Sequence, residues 1–305
     1  MGAVLGTILS EQVRAGSLIR TDVAIVGSGA AGITAAIRLA NLGFQCLILE
    51  AGGREAIPEV DADYDGEVVQ PSNHRLEPLT RSRQRFFGGT TNHWSGWSRP
   101  LLPEVFSQRD WVSPLGWPFD AGTLATDYAF AHSLLELGAF EYSTQRVGER
   151  VGQPSIFAQD PVLETPLWRF SPPTRFAPRY SERLQELSVD VVLRAPMIDV
   201  SLKGGAVAEV RFARDTPQGV NGTFRVQASN YVFAMGGVET VRQLLLLARA
   251  YPEAGLDSSG WLGRGWMEHP HGAVGHLHGV GEGMGLDIHL QRLSDAEVPV
   301  RAGIG

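Results

Sequence analysis

Three glycines and one acid open the chemistry of this chain. Gly27-Ser28-Gly29-Ala30-Ala31-Gly32 sets glycines at the first, third and sixth positions of a turn. Glu50 stands near the spacing, about 20 residues on, at which an acid reaches a ribose in such units. A turn of this type binds phosphate. The first glycine permits the tight bend, the second lets a pyrophosphate approach the backbone, and the third lets helix and strand close up. The helix that follows offers free N–H groups and roughly half a positive charge. The acid accepts hydrogen bonds from ribose hydroxyls and repels a 2′-phosphate, so NADP is disfavoured while NAD and FAD remain. An unliganded α/β turn is the bland alternative.

A second set lies at Arg85-Phe86-Phe87-Gly88-Gly89-Thr90-Thr91-Asn92-His93-Trp94-Ser95. Paired glycines beside two threonines let backbone press against a flat ring system. His93 and Trp94 then offer a nucleophilic or hydrogen-bonding edge, although His93 could equally be a packed core histidine. Arg75, Arg81, Arg83 and Arg85 could contact phosphates or steer an anion, but a solvated loop is the expected reading. His269, His271, His276 and His278 invite a zinc or iron site. No carboxylate set completes a coordination shell, so no metal is expected.

Elements must position these residues. Residues 21–53 read as one βαβ unit: an apolar strand TDVAIVG, the glycine turn, a helix ended by Gly43, and a second strand FQCLILEAGG that carries Glu50 and Ala51. The near-continuous apolar run suits a parallel sheet covered on both faces. Residues 54–190 are rich in Pro, Arg, Trp and Gly, with helical patches near 122–138 and 178–188, and read as an irregular insert. Strand patterning resumes at VDVVLRAPMIDVSL, AVAEVRFAR and FRVQASNYVFAMGG, with Gly204-Gly205 as a hairpin turn. A helix, VETVRQLLLLARA, follows. The tail from 269 reads as the start of another sheet.

Composition mainly excludes. The chain has 305 residues, a net charge of −7 and one cysteine, Cys46. Intramolecular disulfides and thiolate metal clusters are thereby ruled out, and general nucleic-acid binding, which needs a basic face, is disfavoured. No stretch reaches the roughly 18 apolar residues of a membrane span. A cytoplasmic location without membrane attachment is the expectation.

The ILEAGG ending of the second strand resembles FAD-binding flavoproteins. Together with the ring segment, the later Phe233-Ala234-Met235-Gly236-Gly237-Val238-Glu239-Thr240 and Leu262-Gly263-Arg264-Gly265-Trp266-Met267-Glu268-His269-Pro270, it resembles the glucose–methanol–choline oxidoreductases, especially their pyranose-oxidase-like branch. The resemblance spans about residues 20–275 in four blocks. It implies FAD, with Gly27, Gly29, Ala30, Ala31, Gly32, Glu50 and Ala51 at the ADP portion. Gly88, Gly89, Thr90 and Asn92 would lie along the flavin, and Ser95 near its N5. His93, followed by Trp94, matches the histidine that this branch bonds covalently to the ring. Ala234, Gly236 and Gly237 match a late stretch near the pyrophosphate, and Met197 or Ile198 the backbone contact to adenine. Asn92 stands where that branch carries threonine.

The resemblance also implies oxidation of the CH–OH group of an alcohol or sugar by hydride transfer to flavin N5. In that family a histidine near the C-terminus of a longer chain accepts the hydroxyl proton. Here the last histidine is His289, in what reads as the start of the substrate sheet, so the base is expected beyond Gly305, on a longer chain or a complementing one. The expected architecture is α/β: a discontinuous Rossmann-like FAD-binding domain (18–80 and 190–268) and an incomplete antiparallel-sheet substrate domain (81–189 and 269–305). A noncatalytic FAD-binding remnant and an NAD-dependent dehydrogenase are the alternatives.

Overall fold

The computed structural model describes residues 6–57, 64–66, 79–110, 116–157, 160, 162–267 and 285–303. In chain order the strands are β1 (Thr7–Leu9), β2 (Leu18–Val26), β3 (Cys46–Leu49), β4 (Trp97–Ser98), β5 (Leu167–Phe170), β6 (Asp190–Leu193), β7 (Met197–Lys203), β8 (Ala206–Thr216), β9 (Gly219–Phe233), β10 (Leu293–Asp295) and β11 (Val298–Ala302). The α-helices are α1 (Ala30–Asn41), α2 (Leu79–Ser82), α3 (Ala125–Leu134), α4 (Thr144–Arg150), α5 (Phe176–Glu186), α6 (Gly236–Ala250) and α7 (Asp287–Leu290). They fall into two compact units, Met1–His93 with Arg175–Trp266, and Trp94–Thr174 with Met267–Gly305.

The first unit is built on a seven-stranded sheet in the order β1-β6-β3-β2-β9-β8-β7. The first five of these run parallel, and β8 and β7 add an antiparallel edge. Val23–Val26 of β2 and all of β3 are buried, because central parallel strands are covered on both faces. α1 buries Ile33, Ala36 and Ile37, spaced to share one helical face. Gly43, at φ +91°, ends it in the left-handed conformation that only glycine adopts without strain. Across the antiparallel edge Phe212 and Phe224 are register partners with stacked rings 5.5 Å apart. Gly204 and Gly205, at φ +61° and +78°, close the β7–β8 hairpin.

The stretch 189–202 is not one strand. β6 lies beside β3, whereas β7 lies at the opposite edge of the sheet. The break is Arg194, at φ +54°, followed by Ala195 and Pro196. Arg194 and Ala195 donate their N–H groups to the carbonyls of Gly52 and Glu50 at 2.8 Å each. Proline has no N–H with which to continue the ladder.

Segments 81–93 and 175–189, expected in the insert, belong to this first unit. The physical reason is close backbone packing. A Cβ on Gly52 would lie 1.8 Å from the Arg85 carbonyl oxygen, and Phe87 donates to the Gly53 carbonyl at 2.9 Å. α5 packs on α1.

The second unit carries a four-stranded antiparallel sheet, β10-β11-β5-β4. Val147, Leu167, Ile288, Val300 and Ala302 form its apolar cluster. At its centre Asp295, 4% exposed, accepts from Arg150 at 2.6 and 2.8 Å and from Arg169 at 2.6 Å. Fully buried Arg169 also donates to the carbonyls of Glu141 and Leu137. The turn from β10 to β11 is Ala296-Glu297, both left-handed at φ +48° and +70°. His289 is not on a sheet strand. It lies in α7 before β10, buried, with Nε2 2.6 Å from the Ser155 hydroxyl.

Candidate nucleotide site

The sequence places two adjacent strand ends, each followed by a helix, at the same edge of the first sheet. β2 ends at Val26 and β9 at Phe233, its register partner. Ala234 donates to the Val26 carbonyl at 2.8 Å. Gly27 is required here: its φ is +101°, and a Cβ would sit 2.4 Å from the Ala234 carbonyl oxygen. Gly32 is required by contact alone, since its Cβ would lie 2.0 Å from the Gly27 oxygen. Gly29, Gly236 and Gly237 differ, because a Cβ on any of them would meet nothing within 4 Å. Those three face open space, as backbone must where phosphate is to approach it. Neither α1 nor α6 has a side-chain cap, so the N–H groups of Ala30, Ala31 and Gly32, and those opening α6, are left for an anion. The C-terminal ends of neighbouring strands at a change of direction in a parallel sheet form the usual ligand crevice.

Glu50 closes one side. It is 6% exposed, and both carboxylate oxygens are engaged. Oε2 accepts from the Ser28 N–H at 2.9 Å and from the Ser28 hydroxyl; Oε1 accepts from the Gly52 N–H at 2.9 Å. The Ser28 hydroxyl also accepts from the Gly88 N–H at 3.2 Å. Ser28 therefore ties the phosphate turn, the acid and the ring segment together. A carboxylate offers about four lone-pair sites; three are used, and the one left on Oε1 suits a ribose hydroxyl. Ala51 follows Glu50 directly, half-buried.

Arg83 is not on a solvated loop. Its Nη1 lies 3.1 Å from Glu239 Oε1, with both side chains 16% exposed, and its Nη2 donates to the Tyr64 carbonyl at 2.8 Å. The guanidinium stacks 4.0 Å above the Tyr64 ring. Burial, with Glu50 adding to it, pushes the Tyr64 hydroxyl up to about 12. Arg85 lies 5.9 Å from the same ring. Arg75 and the side chain of Arg81 lie outside the described residues, as do His269, His271, His276 and His278.

The ring segment folds into a short 3-10 helix, Gly89–Asn92, entered through Gly88 at φ +96°. Asn92 Nδ2 donates to the carbonyls of Phe87 and Gly89, and Thr91 Oγ1 to that of Gly88. A Cβ on Gly89 would lie 3.1 Å from Gly29 Cα, so this segment rests directly on the phosphate turn. Thr90, His93 and Ser95 are exposed, which rules out the packed-core reading of His93. Trp94 Nε1 donates to the Thr174 carbonyl at 3.0 Å within the second unit. Met197 and Ile198 open β7. Met197 packs on the core, and Ile198 is 49% exposed.

The sequence profile of the FAD dependent oxidoreductase family, DAO, matches residues 22–255. The chain belongs to this family. Its crevice fits the cofactor that the family name implies, through open glycine backbone, two uncapped helix starts and an acid with acceptor capacity in reserve. This flavoprotein matches no curated protein sequence. Among solved structures it is similar to L-amino acid deaminase from Proteus vulgaris, at 14% identity and TM-score 0.39, covering 76% of this chain and 51% of that one. It is also similar to formate oxidase, at 19% identity and TM-score 0.45, covering 77% and 48%. The R554K variant of formate oxidase from Aspergillus oryzae RIB40 gives 19% and 0.46, with coverage of 77% and 48%. The chain thus spans about half the length of these structures. No helix among the described residues is long and apolar enough to cross a membrane.

Sequence reasoning missed Ser28, Tyr64 and the Arg83–Glu239 pair. A hydroxyl inside the glycine turn was a visible signal for Ser28. Arg83 meets Tyr64 across 19 positions and Glu239 across 156, and neither contact leaves a local trace.

Proposed function

We propose that this chain supplies the FAD-binding portion of an oxidoreductase acting on the CH–OH group of an alcohol or sugar. The observation that carries this reading is the seating of Gly88-Gly89 against Gly29, held by Asn92 and the Ser28–Glu50 link. Residues resembling the flavin-facing glycine pair are thereby fixed beside the phosphate turn.

In this reading the open N–H groups after Gly29 and Gly236 hold the pyrophosphate, and Glu50 Oε1 accepts from the adenosine ribose. Gly88, Gly89 and Thr90 would lie along the ring, with exposed His93 as the attachment point. When bound, FAD accepts the hydride leaving the substrate carbon; the protein contributes orientation and electrostatics. The proton-accepting base, worth typically 10²–10⁴-fold, comes from outside these residues, on a longer or complementing chain.

Protein purified after supplementation with FAD is expected to be yellow. Colour retained in the acid-precipitated pellet, and lost from the pellet of His93→Ala, is the expected sign of attachment. Protein that stays colourless with added FAD would remove the reading. Turnover of a panel of sugars and alcohols with an artificial electron acceptor, in the presence of the complementing chain, tests the substrate class.

A further inference from the structure

The second unit contains a cleft of about 540 Å³ that the nucleotide site does not use. Its walls come from β4 and the segment after it, from α3, and from Phe140, Tyr142 and Trp168. Buried His132 and Leu137 form its floor. Its rim is apolar and open to solvent: Trp97, Leu101, Leu102 and Phe140 are each between 38% and 48% exposed. Large apolar side chains gathered around a concavity and left in water mark a binding site more often than a bare surface.

The polar groups set the chemistry. His132 is saturated, with Nε2 2.9 Å from the Tyr142 hydroxyl and Nδ1 3.1 Å from the Gly138 carbonyl. Burial lowers its pKa, so it adds no charge. The Tyr128 hydroxyl already accepts from the Leu101 N–H, 3.3 Å away. Arg99 is different. Its guanidinium stacks 5.3 Å from the Trp168 ring, and among the described residues no hydrogen bond or ion pair holds it. Burial pulls its pKa down while nearby Glu164 and Tyr142 pull it up, which marks a cation only partly wetted. It remains charged, since arginine is not deprotonated in proteins. Arg292 stacks 3.9 Å above Phe170 and is not part of the lining.

We propose that this cleft binds a small monocarboxylate with an apolar body, such as an arylalkanoate or a medium-chain alkanoate. The carboxylate takes the two-pronged face of Arg99, which matches its geometry. The body lies between Trp168, Phe140 and Leu137. Arg99 is the one lining cation among the described residues and already feels Glu164, so a phosphate dianion would keep charge unmatched against apolar walls. A sugar would need more polar partners than Ser98, Tyr128 and Arg99 provide.

The test is calorimetric titration of the full chain, with its FAD content recorded, using 3-phenylpropionate, hexanoate, the neutral 3-phenylpropionamide and inorganic phosphate. Saturable binding of both carboxylates near one per chain is expected, with the amide at least about tenfold weaker, as befits loss of a charged hydrogen bond. Arg99→Gln should bring the carboxylates down to the amide's affinity and leave the amide unchanged. Ala131→Phe, which fills the cleft from α3, should abolish all three while far-ultraviolet circular dichroism and FAD content stay the same. No saturable carboxylate binding, equal affinity for acid and amide, tighter binding of phosphate, or unchanged binding by Arg99→Gln would each overturn the proposal.

Discussion

Among the described residues, each unit of this molecule buries one carboxylate, and the two are treated in opposite ways. Asp295 in the second unit meets two guanidiniums, so its charge is cancelled on the spot. Glu50 in the first unit meets, among the described residues, neutral donors alone, two from Ser28 and one from Gly52. Neutral N–H and O–H groups orient an anion but leave its charge and one lone pair for something else. The difference separates an acid that holds structure from an acid kept for a ligand.

The largest effect should come from breaking the neutralised site. Asp295→Ala leaves Arg169 buried with a charge and no counter-ion, a change that costs about 3–5 kcal/mol. Urea denaturation should show that loss, with FAD affinity of the remaining folded protein unchanged. Glu50→Gln should cost less stability and should weaken FAD binding as well. Both Glu50 oxygens accept from donors, so an amide must point its NH₂ at a donor on one side. Stability should fall by about 1–3 kcal/mol, the cost of a buried unsatisfied group. FAD affinity should fall about tenfold to a hundredfold besides, measured by flavin fluorescence titration. An Asp295 variant that loses FAD as readily as Glu50→Gln would erase the distinction.

Acid sharpens the same contrast. Hydrogen bonding from Arg150 leads the effects that hold the Asp295 carboxyl below its usual value, with Arg169 adding to it against burial. A depressed folded pKa means that the stabilisation is complete above the ordinary aspartate value, about 3.9. It is lost as pH falls from there through the lower folded value. Unfolding of the wild type should therefore steepen below about pH 4, and Asp295→Ala should flatten that part of the profile. The smallest effect concerns the two tight turns. Ala296-Glu297 adopts left-handed angles without glycine, whereas Gly204-Gly205 does so with it. Glu297→Gly relieves steric strain of about 1–2 kcal/mol but loosens the unfolded chain by about 0.4–1 kcal/mol. A net gain below about 1 kcal/mol is expected in thermal unfolding. Gly204→Ala should lose a similar amount.

Those turns also show what the sequence made legible. Gly-Gly between two alternating runs announces a hairpin; Ala-Glu does not, because its conformation is imposed by Asp295 and the pairing of β10 with β11. The βαβ unit was readable because strand, glycine turn, helix and acid lie within one contiguous segment and each has a local cause. β1 was not, being three residues whose partner among the described strands, β6, lies far along the chain. The split of 189–202 was hidden for a related reason: both halves have strand composition, and the break at Arg194 is held by distant partners, among them Gly52, Glu50, Ser10 and Asp215. In the site, the glycines and Glu50 were readable from type and spacing. The burial of Arg83 was not, since nothing near Arg83 in the sequence indicates that Glu239 will meet it.

The pairing of β2 with β9 has a consequence for how the molecule comes into being. Val26 and Phe233 are register partners some 200 residues apart. The βαβ segment leaves the ribosome well before β9, so one flank of β2 has no neighbour until some 200 further residues have been made. At about 5–20 residues per second that interval is tens of seconds. Throughout it β2 presents a bare row of amide and carbonyl groups on an apolar ribbon, the kind of edge that other chains join. The nucleotide crevice, formed where these two strands end, cannot exist before β9 has been made. FAD cannot be captured there during early synthesis, and the yield of active protein should depend on how well that waiting edge is kept from wrong partners.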